Sequence, residues 1–155
     1  MSAATSNRQG QRQPSEKVPY TGASGYTYYK DTLQVMAPNG TVQPYAGTGT
    51  SGAYFIGVND NKVDLSAGLG SSNEIMNVWK TGEFTFEANG TGATADIGKR
   101  AYAIDDQTVG ASGGANASLW VGEIVGLPST SSYRVRIDNA VGVAVGISNL
   151  LQTQL

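Results

Sequence analysis

Apolar and polar positions alternate along this chain in short runs, and each run ends at a cluster of Gly, Asn, Asp, Ser or Pro. The cleanest run is Glu83-Phe84-Thr85-Phe86-Glu87. Its period of two predicts a strand with both phenylalanines inward and both acids outward, closed by Ala88-Asn89-Gly90-Thr91-Gly92. The stretch 97–109 predicts another strand, with Tyr102 and Ile104 as its apolar face, Ala101 and Ala103 as a small second face, and a stop at Asp105-Asp106. Residues 119–125 predict a further strand. The segment 133–138 predicts one with Tyr133, Val135 and Ile137 inward and Arg134 and Arg136 outward, and turn chemistry at Gly126, Pro128 and 129–132 separates the two.

The upstream half reads in the same way. Leu33 and Val35 alternate with Thr32 and Gln34 before the Pro38-Asn39-Gly40 turn. Tyr54, Ile56 and Val58 form an apolar face that leads through Asn59-Asp60-Asn61 to Val63 and Leu65, a hairpin signal. Residues 75–79 are apolar on both faces, as in a strand covered from two sides or by a partner. Gly82 marks a bend. Residues 18–30 concentrate Tyr20, Tyr26, Tyr28 and Tyr29 between Pro19, Gly22 and Gly25. Such residues suit either an interface or a half-buried strand on which Tyr26 and Tyr28 alternate with Thr27.

No segment patterns convincingly as a helix. The expectation is an all-β domain over 18–138, a compact antiparallel barrel or sandwich, with Phe84, Phe86, Tyr102, Ile104, Val121, Val135 and Ile137 in its core. Residues 1–17 have no large branched or aromatic side chain and cannot build a core alone; they predict an extended N-terminal arm, either a solvated tail or one that orders on a neighbouring subunit. Residues 139–155 are an apolar C-terminal extension; Gly142 and Gly146 disfavour a helix there, leaving a last buried strand or a segment that docks on a partner.

Composition narrows the function. The chain has 155 residues, 39% of them hydrophobic and only 14% charged, with 21 glycines, which favours short strands and many turns. Cysteine and histidine are both absent. That removes disulfides, thiolate metal sites, the usual neutral-pH base and the Ser-His and Cys-His nucleophile arrangements. The net charge of −2 argues against coating nucleic acid, and no run approaches the length of a membrane span or a Sec-type signal. Charge is nevertheless divided: the arm, with Arg8, Arg12 and Lys17 against Glu16, carries +2 and the rest carries −4.

Candidate chemistry is thin. Asp105-Asp106 is the one adjacent carboxylate pair, but neighbours at a strand end point oppositely, and an Asx-type turn explains them. The oxygens of 59–64 lack calcium-loop spacing, and the glycine runs 47–52 and 110–114 lack any phosphate-binding pattern. Lys99-Arg100, Arg134 and Arg136 read as solvated or salt-bridged spots, and Trp79 and Trp120 are not clustered in sequence. No catalytic residue, metal ligand or cofactor is expected. Partner binding is expected at Arg8, Arg12, Lys17, Val18, Pro19, Tyr20, Tyr26, Tyr28, Tyr29, Val78 and Trp79.

Ala95-Asp96-Ile97-Gly98-Lys99-Arg100-Ala101-Tyr102-Ala103-Ile104-Asp105-Asp106-Gln107-Thr108-Val109, followed by the VGEIVG segment at 121–126 and the RVRID strand at 134–138, resembles the C-terminal half of tailed-phage structural cement, or capsid decoration, proteins. Phe55-Ile56-Gly57-Val58, the segment 80–86 and the polar arm fall in the matching order, so the similarity spans 18–138. The resemblance implies a small β-rich protein, with neither enzymatic activity nor cofactor. It further implies synthesis in the host cytoplasm and binding to the outside of the head, often as a homotrimer, to clamp neighbouring major capsid subunits. The apolar end after Asp138 departs from the pattern. A tail-fibre or receptor- or carbohydrate-binding β-module is the alternative; a fibre would show triple-stranded repeats, which are not found, and a carbohydrate module would need clustered aromatics.

Overall fold

The computed structural model describes residues 17–47, 52–68, 75–112 and 119–138. The regular structure of the described residues is strand apart from one 3-10 turn, as the alternation predicts. It comprises β1 (Lys17–Thr21), β2 (Thr27–Tyr28), β3 (Leu33–Met36), β4 (Val42–Pro44), β5 (Tyr54–Asn59), β6 (Val63–Asp64), β7 (Ile75–Trp79), β8 (Gly82–Ala88), a 3-10 turn (Thr94–Asp96), β9 (Arg100–Ala103), β10 (Thr108–Gly110), β11 (Trp120–Ser129) and β12 (Ser132–Ile137).

Two β units share one core. The N-terminal unit is a five-stranded sheet in the order β1-β7-β5-β3-β4, overlaid by the short β2–β6 ribbon. The C-terminal unit is a closed five-stranded barrel, β10-β8-β12-β11-β9, antiparallel except where β10 runs parallel to β8. Leu33, Val35, Phe55 and Val58 carry one face of the sheet into the cluster formed by the barrel residues Phe86, Val109, Val121, Ile124, Tyr133, Val135 and Ile137. The other face packs Val42, Ile56, Met76 and Val78 against Tyr28, Val63 and Leu65 of the ribbon. A main-chain bond from the Leu33 N–H to the Asp106 carbonyl, 2.7 Å, ties the two units together directly.

Several strands depart from their sequence reading. In β9 the small residues are interior: Ala101 and Ala103 are fully buried, whereas Tyr102 and Ile104 are only half-buried. A five-stranded barrel has a narrow lumen, already filled by rings such as Phe86 and Tyr133, so only methyl groups fit where β9 faces it. Phe84 is likewise half-buried at the edge of the core while Phe86 is inside. Gly126 and Pro128 do not end a strand; β11 runs on to Ser129, with pairing shifts on either side of Gly126 that accommodate the proline. The predicted 54–65 hairpin does not form either, because β5 pairs with β3 and β7 while β6 pairs with β2. The strand 75–79 is covered on one face only: Met76 and Val78 lie in the core, while on the other face Trp79 is half-buried and Ile75 is 57% exposed.

Gly57 shows why β5 can pass so close to β7. Its φ of 145° lies in the region that favours glycine, and a Cβ there would collide with the Trp79 carbonyl and a Val78 methyl. The Asp105 turn forms as its residues suggest, the carboxylate accepting the N–H groups of Gln107 (2.9 Å) and Thr108 (2.8 Å). Burial and the neighbouring Asp105 charge push the Asp106 carboxyl up from the ordinary range, but no second acid shares its site in the manner of a catalytic dyad.

Candidate functional site

The start of β1 and the end of β12 lie at one pole of the molecule. Lys17 pairs with Trp79 across β1 and β7, and Ile137 pairs with Gly82 across β12 and β8. Trp79 and Gly82 are three positions apart, so Lys17 and Ile137 lie within about 20 Å of one another, given the usual strand spacing and residue rise.

The arm's root is held there by a clasp. Lys17 Nζ donates to Asp60 Oδ2 at 2.8 Å and lies 4.1 Å from the centroid of the Trp79 ring, while Trp79 Nε1 donates to Asp60 Oδ1 at 2.8 Å. One carboxylate thus binds both a cation and the indole on which that cation rests. The Lys17 ammonium holds the Asp60 carboxyl below the ordinary range, helped by the indole N–H and opposed by partial burial. Beside it, Lys80 Nζ donates to the Tyr20 hydroxyl at 3.3 Å and also reaches the Ile56 carbonyl.

The residues expected to bind a partner divide between two places. Lys17, Val18, Pro19, Tyr20, Val78 and Trp79 are brought together across β1 and β7. Lys17 belongs to β1 rather than to the arm, because the ladder with β7 begins at that residue. Val78 is fully buried and so supports this site from inside instead of facing a partner. Tyr26 and Tyr29 lie on the ribbon, 38% and 55% exposed, with Lys62 Nζ 5.6 Å from the Tyr29 ring. Tyr28, between them, is a core residue whose hydroxyl lies within hydrogen-bonding distance of the Val42 carbonyl (2.7 Å) and the Ala23 carbonyl (2.9 Å), so contact with a partner is closed to it. Arg8 and Arg12 lie outside the described residues, as do most of the predicted arm and the extension 139–155.

Asp60 is the member of the clasp that sequence reading leaves in a turn. Its Asn59-Asp60-Asn61 context signals a chain reversal, and only the tertiary pairing of β5 with β7 brings it to Trp79. No local feature of the sequence links Lys17 to Asp60, 43 positions away.

On the barrel, basic residues are paired as solvated spots. Lys99 meets Asp96 at 2.9 Å, Arg134 and Arg136 approach Glu83 at 3.7 and 3.6 Å, and Arg100 lies 4.6 Å from the centroid of the Trp120 ring. Tyr133 donates a 2.6 Å bond to Asp96, which also accepts the Ala93 N–H. These donors, the tyrosine first, hold the Asp96 carboxyl down at about 2, while burial and the Asp96 carboxylate push the Tyr133 hydroxyl up to about 12.

Among the described residues, no group of three or more His, Cys, Asp or Glu side chains is gathered to hold a metal, and no helix is long and apolar enough to cross a membrane. Neither a protein-family model nor a curated protein matches this chain.

Proposed function

We propose that the protein decorates the outer surface of a tailed-phage head, where it clamps adjacent major capsid subunits and stabilises the shell. The observation that carries this reading is the shared pole: Lys17 and Ile137, beyond which the sequence is basic on one side and apolar on the other, lie at one end of the β body, and Lys17 is clasped there. A rigid body with both tethers on one side suits attachment to a single large surface. The sequence resemblance across 18–138 supports the same reading. The charge of the arm, opposite to that of the body, favours a contact outside the chain.

Because Met76 and Val78 of β7 are buried within the chain and Ile75 is the large apolar side chain of that strand left exposed, a threefold arrangement on the head would follow the symmetry of the shell rather than an extensive apolar contact between copies. Heads assembled without the protein supply the test. Added protein should sediment with them saturably and raise the temperature at which they rupture; absence of co-sedimentation would reject the reading.

One observation favours a second reading, a carbohydrate- or receptor-binding module: Tyr26 and Tyr29 are exposed on one short ribbon whose Thr27 and Asp64 side chains are also accessible. Binding of the isolated protein to immobilised glycans, lost in Tyr29→Ala, would replace decoration with that function.

A further inference from the structure

The two β units repeat one another strand for strand. In the sheet the circuit runs β1-β7-β5-β3-β4 and returns through a parallel bridge between Val42 and Gly22; in the barrel it runs β8-β12-β11-β9-β10 and returns through the parallel pairing of Val109 with Ala88. The registers agree as well. Lys17 with Trp79 corresponds to Glu83 with Arg136, Leu33 with Val58 to Arg100 with Glu123, and Val35 with Gln43 to Tyr102 with Gly110. Even the irregularity recurs: the pairing skips Ile56 beside Gly57 and Val121 beside Gly122, and a Cβ on either glycine would strike a carbonyl of the facing strand, that of Trp79 or of Arg136.

This correspondence sets each interior position of one unit against its counterpart in the other. Val42, Ile56 and Val78 stand where the barrel has Val109, Val121 and Val135, and all six are buried. Two counterparts differ in kind. Gln34 takes the place of Ala101 and Asn59 that of Ile124, and both polar side chains belong to fully buried residues.

The hydrogens of these amides are already spent. Gln34 Nε2 donates to the Thr32 carbonyl (3.2 Å) and to Thr32 Oγ1 (2.8 Å), Asn59 Nδ2 donates to the carbonyls of Tyr29 (2.9 Å) and Asn61, and the Thr32 hydroxyl donates to the Tyr29 carbonyl (2.7 Å). Gln34 Oε1 and Asn59 Oδ1 have no donor among the described residues. Turning either amide over would aim its oxygen at carbonyls that cannot donate, so the orientations are fixed and the two acceptors stay open. Thr32 ties the pair together, because its carbonyl receives the Asn59 N–H (2.9 Å) as well as Gln34 Nε2.

We propose that the interior of the sheet unit holds one small guest between Gln34 Oε1 and Asn59 Oδ1, of the class that gives to oxygen and takes nothing from it: an alkali cation or a water. A divalent ion, which draws on carboxylates, is a poor match, since Asp31 is exposed and Asp60 is engaged with Lys17 and Trp79. The guest lies where the ribbon joins the sheet: Tyr29 follows β2, Asn61 precedes β6, and both carbonyls belong to the same network. The barrel, with Ala101 and Ile124 at these positions, has no such requirement.

Crystals of the full-length protein grown in rubidium chloride test the assignment. A peak about 3 Å from both oxygens is expected. Anomalous scattering at that peak identifies a cation, and its absence a water; no peak, or one within reach of a single oxygen, would overturn the shared guest. Thermal unfolding separates the two sources in solution: replacing potassium by choline at fixed ionic strength lowers the midpoint for a cation and leaves it unchanged for a water. Gln34→Ala combined with Asn59→Ile installs the barrel's pair and should abolish both the peak and any dependence on the cation. A peak that persists in this variant would place the guest on other atoms and overturn the proposal.

Discussion

The barrel and the sheet solve the problem of strand edges in different ways. The barrel joins β8 to β10 and leaves no edge, so its outer face can carry ordinary paired charges such as Glu83 with Arg134 and Arg136. The sheet stays open and interrupts its edges with Pro19 and Pro44 and with the Ala23 bond to Val42. Closure gives the barrel a single core with no exit except at its ends. The open sheet can instead receive the arm's root at β1 and hold it with Asp60. Stability is therefore expected to reside mainly in the barrel, and the response to a partner mainly where the sheet meets it.

The largest effect should come from the barrel interior. Phe86→Ala empties a buried site and is expected to cost about 3–5 kcal/mol in chemical denaturation, while Phe84→Ala should cost less than half as much because its ring is partly solvated. Equal losses would show that the two rings contribute alike and that the lumen is less selective than described.

Next comes the sheet, where β5 passes close to β7. Gly57→Ala forces a side chain into the Trp79 carbonyl and should cost about 1–3 kcal/mol, with the loss visible in both units because they share a core. Unfolding of the sheet in one step and the barrel in another would instead break the view of a shared core.

Titration separates the units further. Asp96 has a folded pKa of about 2, below its unfolded value, so its contribution to the barrel is present above about pH 4 and lost as the pH falls toward 2. Tyr133 has a folded pKa of about 12, above its unfolded value; its contribution is present below about pH 10 and lost as the pH rises toward 12. Tyr133→Phe should flatten both limbs of the stability profile. Unchanged limbs would mean that the Tyr133–Asp96 bond is not maintained in solution.

The smallest effect on stability belongs to the clasp. Lys17→Ala should change unfolding by less than about 1 kcal/mol, since the pair is still reached by solvent. It should nevertheless shift the emission of Trp79, whose ring loses the overlying cation. A large loss of stability would make the clasp part of the core rather than an anchor for the arm.

Much of the barrel is legible in sequence because alternation is a local signal. Phe86, Val121, Val135 and Ile137 are inside, and Glu83, Glu87, Arg134 and Arg136 are outside, as their parity requires. Parity alone fails at β9, where two faces compete and the narrow lumen selects Ala101 and Ala103 over the larger pair. The site is legible only in part. The tyrosines around β2 stand out, yet whether one is core or surface depends on the ribbon's seat over the sheet, which buries Tyr28 and leaves Tyr29 exposed. The shared pole has no sequence signal, because it arises from two pairings, Lys17 with Trp79 and Ile137 with Gly82, between segments far apart in the chain.

Hydrogen exchange of the protein free and bound to heads tests the central claim most directly, because it reports on every backbone amide at once. Docking through the shared pole predicts new protection in 1–21, 77–83 and 136–155, with the β2–β6 ribbon and the remainder of the barrel unchanged. New protection at Tyr26 and Tyr29 with none around Lys17, Gly82 and Ile137 would contradict the account and move the functional surface to the ribbon.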